Sequence, residues 1–170
     1  GEKDTDFMPF DPGILVDDDG RIHLYAGQGP MNPIHAAGSR RRHSRDSAYH
    51  VELEPDMRTI RTGPTKLLPN CADSTGTGFE GHEFFEASSI RKFNGRYYFI
   101  YSSVQSHELV YAMSDRPDGG FGYCGVLHSN CDVGLADPAP KNLMLRPSKQ
   151  AKAYFGNNHG SIVEIGGRYY

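Results

Sequence analysis

Glu86-Ala-Ser-Ser-Ile-Arg-Lys-Phe-Asn-Gly95-Arg-Tyr-Tyr-Phe-Ile-Tyr101 is the stretch whose reading decides the fold. A polar residue leads into a short apolar run. Asn94-Gly95 then supplies the pair that two-residue hairpin turns prefer, because both central positions of a type I′ turn need positive φ. The run after the turn is aromatic-rich, and its alternation suits a half-buried strand. The stretch therefore predicts two antiparallel strands joined by a tight turn.

Working outward, the same layout appears twice more. Asp11-Pro-Gly-Ile-Leu-Val-Asp-Asp-Asp-Gly20-Arg-Ile-His-Leu-Tyr25 precedes it, and Asn158-His159-Gly-Ser-Ile-Val-Glu-Ile-Gly-Gly167-Arg-Tyr-Tyr170 follows. The turn glycines Gly20, Gly95 and Gly167 lie 75 and 72 residues apart. Ala48–Leu53 and Leu109–Met113 read as further strands between them. Each repeat can hold about four strands, which is one propeller blade. No stretch has a sustained helical period with caps. The fold class read here is all-β, a partial β-propeller of four-stranded antiparallel blades, with turns at Asp19-Gly20, Asn94-Gly95 and Gly166-Gly167. Residues 27–47, 69–82 and 128–152 read as long loops, which in compact domains usually carry function.

Position within the repeat points to chemistry. Asp11 and Glu86 each lie nine residues before their turn glycine, as does Asn158, and His159 lies eight before its own. Equivalent positions in repeated blades are related by rotation about one axis, so these side chains are expected to converge on one cleft. Two carboxylates and an imidazole facing one cleft make an acid–base site. Glycoside hydrolysis needs two carboxyls, one holding a proton for the leaving oxygen and one ionised. A neighbouring carboxylate favours the protonated form of its partner.

Phe10–Tyr25, Glu86–Ser102 and Gly156–Val163 resemble, in order, motifs of the second, third and a later blade of glycoside hydrolase family 43. The resemblance covers almost the whole chain. It implies a five-bladed propeller of inverting enzymes acting mainly on xylosides, arabinofuranosides and arabinans of plant-wall polysaccharide. It implies Glu86 as the general acid and Asp11 as the carboxylate that tunes the acid's pKa and orients it. His159 resembles the family's axial histidine, with Asn158 beside it as a substrate-binding candidate. No cofactor is required. A calcium ion at the propeller axis, with His159 as candidate ligand, is the one metal the resemblance admits. Two departures stand out. Ala87-Ser88 replaces the usual Gly-Pro after the acid. The family's general base, a first-blade Asp, has no counterpart here unless Asp11 fills that role, so residues 1–170 read as a single partial β-propeller catalytic domain without the first blade and the C-terminal part. The same fold on another sugar, such as galactofuranoside, a retaining propeller enzyme and a non-catalytic carbohydrate-binding propeller are the rival readings.

Other features read more plainly. Asp17, Asp18 and Asp19 lack the alternating spacing of a calcium loop and read as a solvated turn. His82-Glu83 starts a near-match to a zinc-protease motif, but that motif needs a helix and this stretch leads into a strand. Glu80 and Glu83 stand at the wrong offset to replace Glu86. Tyr97, Tyr98, Tyr101 and Tyr123 read as blade core, one or two of them free to line a sugar subsite. The basic run Ser39–Arg45 has no supporting basic or stacking element, so a solvated loop is expected rather than a nucleic-acid site. Cys71, Cys124 and Cys131 read as ordinary thiols. The net charge of −3 calls for no nucleic-acid or membrane partner. No apolar run approaches the ~20 residues of a membrane helix, and the charged first residues are not a signal peptide. The expected partner is an oligo- or polysaccharide, while oligomeric state and compartment stay open.

Overall fold

A computed structural model describes residues 7–30, 46–105, 107–129 and 158–170. Ten strands and no helix occur among them. β1 (Gly13–Val16), β2 (Ile22–Gln28), β3 (Ser47–Leu53) and β4 (Ile60–Lys66) form one antiparallel sheet in sequential order. β5 (Phe84–Phe93), β6 (Arg96–Ser103), β7 (Leu109–Ser114) and β8 (Gly122–His128) form a second of the same design. β9 (Glu164–Ile165) and β10 (Arg168–Tyr169) make a short hairpin. The expected repeat is thus present as two four-stranded blades and the first hairpin of another.

Two of the three turns form as read. Asn94 and Gly95 take φ of 50° and 76°, and Gly166 and Gly167 take 58° and 78°, the paired positive values of a type I′ turn. The first turn differs. Only Gly20 has positive φ (82°), Gly20 N–H donates to the Asp17 carbonyl at 2.9 Å, and Asp17 N–H donates to Arg21 O at 2.8 Å. This is a longer loop whose last residue is the left-handed glycine. Aspartate side chains favour it: Asp17 Oδ1 accepts from Asp18 N–H at 2.7 Å and Asp19 Oδ1 from Arg21 N–H at 3.0 Å.

The three aspartates are also not one solvated turn. Asp18 and Asp19 are exposed, but Asp17 is buried. Its carboxylate takes Lys92 Nζ at 2.5 Å and the Tyr97 hydroxyl, both from the second blade. Burial alone would raise this carboxyl. The bonds from Lys92 and Tyr97 outweigh that and bring it down to about 2.

The main core lies between the two sheets. Phe99, fully buried on β6, packs against Tyr25 of the first blade at 5.8 Å between ring centres and against Phe84 at 6.0 Å. Each such side chain contributes roughly 1.5–3 kcal/mol by burial. Tyr97 and Tyr101 are core, as read, while Tyr98 and Tyr123 are half-buried. The blades touch through backbone where glycine is required. A Cβ on Gly29 would lie 1.7 Å from Phe84 O, and one on Gly13 would lie 2.6 Å from Ser88 O.

β4 and β8 are absent from the sequence reading for a physical reason. Both are sheet edges and largely exposed, so neither carries an alternating apolar pattern. β4 even contains Pro64, which an edge strand tolerates because its missing N–H faces away from the sheet. The 69–82 loop is built of turns, with Leu68 and Phe79 beside and within it set into the core. The Ser39–Arg45 run, Cys131 and most of the other two long loops lie outside the described residues. Cys71 and Cys124 are free thiols.

Candidate active site

The second blade turns Glu86 inward by a break in its own ladder. The β5–β6 register shifts on both sides of Glu86. Ala87 takes φ of 66°, a left-handed conformation that suits glycine and strains a residue with a Cβ. That strain explains why the resembling motif usually has glycine there. The bulge re-aims the carboxyl, as bulges beside active sites do.

Glu86 is 7% exposed. Its Oε1 lies 3.2 Å from His159 Nε2 and 3.9 Å from His107 Nδ1. Its Oε2 lies 3.5 Å from Gln28 Nε2, at the end of β2 in the first blade. Chain segments from three parts of the sequence thus meet on one carboxyl. His107 sits in the β6–β7 connection with φ of 57°, its ring against Phe85 at 4.9 Å. Burial holds its imidazole below the ordinary histidine value, against the pull of Glu86.

Asn158 places the histidine segment. Its carbonyl accepts from Ser102 Oγ at 2.6 Å, and its side-chain amide donates to the His128 carbonyl at 3.1 Å. That amide is therefore engaged with backbone. Ser161 Oγ accepts from Ser89 Oγ at 3.0 Å and ties the same segment to β5.

Asp11 stands before β1 with φ of 44°, a conformation that Asp tolerates better than most residues. Its Oδ2 is buried with no hydrogen-bond partner. No hydrogen bond joins its carboxyl to Glu86, so the direct meeting found here is that of Glu86 with His159. His107 and Gln28 were not singled out in the sequence. Neither shares the turn-glycine offset that marked the others.

The competing carboxylates sit elsewhere. Glu83 is buried in the 69–83 turns, accepting from Ser74 Oγ at 2.5 Å and Gly81 N–H at 3.1 Å. Glu80 accepts from Gly76 N–H at 2.9 Å. His82 pairs with Glu108 at 2.9 Å and stacks on Tyr123, leading into β5 rather than a helix. A cavity of about 380 Å³ lies at the opposite end of β2, lined by Arg21, His23, His50 and Arg116 among others. None of Asp11, Glu86, His107 or His159 lines it. Its size alone does not make it the reactive site, because the convergent carboxyl and imidazoles are at the other end.

Three donors could hold a metal ion. Atoms of Glu86, His107 and His159 all lie within 4.8 Å of one another. Calcium takes six to eight oxygen ligands. It would find one carboxylate in this set and two imidazoles.

Comparison with known proteins places the chain. A xylosidase/arabinosidase from Thermoclostridium stercorarium is 45% identical over 170 residues, the whole of this chain and 32% of that protein. An arabinoxylan arabinofuranohydrolase from Paenibacillus polymyxa is 31% identical over 130 residues, 71% of this chain and 18% of that protein. The chain thus spans about a third or less of the length of these relatives. The structure of an α-L-arabinofuranosidase from Clostridium thermocellum superposes with a TM-score of 0.57 at 28% identity, covering 95% of this chain and 39% of that one. The two blades and the hairpin are part of a five-bladed β-propeller of this kind. The model of Glycosyl hydrolases family 43 matches residues 3–170, through the heads of β1 and β5 and through His159, and the chain belongs to that family.

Proposed function

We propose that the protein carrying this chain hydrolyses xylosidic or arabinofuranosidic bonds of plant-wall polysaccharide with inversion, and that Glu86 is its general acid. The observation that carries this reading is the Glu86 carboxyl itself. It is nearly buried, turned inward by a bulge, and met by His159, His107 and Gln28. The names of the relatives supply the substrate class.

In this reading the protonated Glu86 donates to the glycosidic oxygen as the C–O bond breaks. The substrate gains a leaving hydroxyl and Glu86 is left as a carboxylate. A second carboxylate activates water on the opposite face of the sugar. In the same reading Asp11, at the head of β1 in the neighbouring blade, is the carboxylate that tunes and orients the acid. His159 orients the Glu86 carboxyl through Oε1. Asn158 serves the site by holding the segment that carries His159.

Leaving-group dependence tests the acid. A sugar alkoxide needs a proton as it departs, whereas an activated phenolate does not. Glu86→Gln keeps the size and removes the transferable proton. It should cost ~10²–10⁴-fold on natural substrate and far less on a dinitrophenyl glycoside. Equal slowing of both substrates, or of neither, would remove Glu86 from the role. Asp11→Asn should move the alkaline limb of the pH–rate profile toward lower pH, since a neighbouring negative charge no longer holds the proton on the acid. An unmoved limb would assign Asp11 to backbone geometry alone.

A further inference from the structure

Gln28 is set in place by backbone that joins the two blades. Gly27 N–H donates to Phe10 O at 3.0 Å, and Gly29 N–H donates to Phe85 O at 2.7 Å. Phe10 and Phe85 stand immediately before Asp11 and Glu86. A Cβ on Gly27 would lie 2.2 Å from Ser47 O, and one on Gly29 would lie 1.7 Å from Phe84 O. Both flanking residues are thus pressed against neighbouring strands. The residue between them has little latitude, and its side chain is delivered to a fixed point.

That point is the Glu86 carboxyl. His159 Nε2 meets Oε1 at 3.2 Å, and Gln28 Nε2 meets Oε2 at 3.5 Å. One contact leaves a carboxyl able to turn, because its terminal torsion is broad. Contacts on both oxygens fix its plane. The Gln28 contact is long, as such bonds often are before substrate binds.

The other end of the same side chain explains why this contact matters. Gln28 Oε1 is buried with no hydrogen-bond partner among the described residues. An unmatched buried acceptor costs stability. Methionine would fill nearly the same space without that cost, so packing alone gives glutamine no advantage. The advantage lies in Nε2, a neutral donor that orients a carboxyl without adding a charge beside it.

We propose that Gln28 is a positioning residue: with His159 it fixes the angle at which Glu86 faces the glycosidic oxygen, and its glycine-flanked backbone ties that angle to the blade that carries Asp11. The catalytic consequence rests on Glu86 being the general acid; the placement of the carboxyl does not.

Gln28→Met in the full protein tests both. On natural substrate kcat should fall by ~10- to 100-fold, the size of effect that a small misplacement of a reacting group produces, with KM nearly unchanged. On a dinitrophenyl glycoside, whose leaving group needs little help, kcat should hardly change. Thermal unfolding should come no lower than in the parent protein, since an unmatched acceptor is gone. A crystal structure of the variant should show the Glu86 carboxyl rotated away from its present plane. Where Glu86→Gln discriminates between the two substrates, full activity of Gln28→Met on natural substrate overturns the proposal. So does equal slowing of both substrates, which would make Gln28 a strut between blades. If Glu86→Gln itself fails to discriminate, the general-acid reading is at fault, and the crystal structure alone decides the positioning. An unmoved Glu86 carboxyl then overturns it.

Discussion

The two ends of the same strands handle buried charge in opposite ways. At the turn end, Asp17 is buried and fully answered. Lys92 and the Tyr97 hydroxyl both reach it from the next blade. At the other end, Glu86 is equally buried, yet its neighbours among the described residues are imidazoles and an amide, with no lysine or arginine. Beside that end, Asp11 Oδ2 and Gln28 Oε1 are buried without hydrogen-bond partners. A buried polar atom left unmatched costs stability. The turn end thus ties its carboxylate across the two blades, although His23 Nε2 beside it is also unmatched, while the other end leaves its carboxyl to imidazoles and an amide.

That contrast can be broken from the turn end first. Asp17→Ala strips Lys92 and Tyr97 of their shared partner and opens the contact between blades. The expected loss is about 3 kcal/mol, read as a lower urea midpoint. A loss near zero would mean that Lys92, which also meets Asp18 at 2.9 Å, is satisfied there instead.

Acid sharpens the comparison next. His23 Nδ1 and His50 Nε2 lie 2.9 Å apart between β2 and β3, both rings buried. Burial, then the nearby His23, lowers His50 to about 4, with Arg21 adding to the fall and Asp118 opposing it. His23 is lowered too, by burial and Arg21 against the pull of Asp17. The unfolded chain takes up these protons near the ordinary histidine value of 6.5, before the folded one does. Stability is therefore full above that pH and falls between about 6.5 and 4, by about 3 kcal/mol for His50. Denaturation midpoints across this range should flatten in His50→Gln. Asp17 adds a second loss lower down, as pH falls from 3.8 toward about 2.

The smallest effect belongs to the active end. Ala87→Gly relieves the left-handed alanine and should stabilise the protein by about 1 kcal/mol, less whatever the freer unfolded chain gives back. Thermal unfolding measures it. A destabilised Ala87→Gly would show that the Ala87 methyl packs to an advantage greater than its strain.

Much of this was legible in the sequence because turn chemistry is local. Asn94-Gly95 and Gly166-Gly167 announce their hairpins, and the shared offset from the turn picks out Glu86 and His159. The outer strands were not legible, since a largely exposed edge strand has little apolar pattern to show, as β4 and β8 demonstrate. His107 was hidden differently. It reaches Glu86 from a strand connection, and nothing in Ser103-Val-Gln-Ser-His107 fixes where such a connection will turn. Asp17 was misjudged for want of one comparison that the repeat already offered. Asp17 lies three residues before Gly20, and Lys92 lies three before Gly95. The same place in successive blades holds opposite signs.

A ring made of look-alike sheets must know which sheet belongs beside which. Apolar faces give little guidance, because one blade's greasy surface fits another's about as well. The bond from Lys92 to Asp17 makes the joint one between unlike blades. Were the first blade duplicated in place of the second, aspartate would face aspartate at that joint, and the pairing would be repelled. Were the second blade duplicated, lysine would face lysine with the same result. A single ion pair at matching positions thus works as a key between parts built alike, and it rejects two copies of the same blade at this joint.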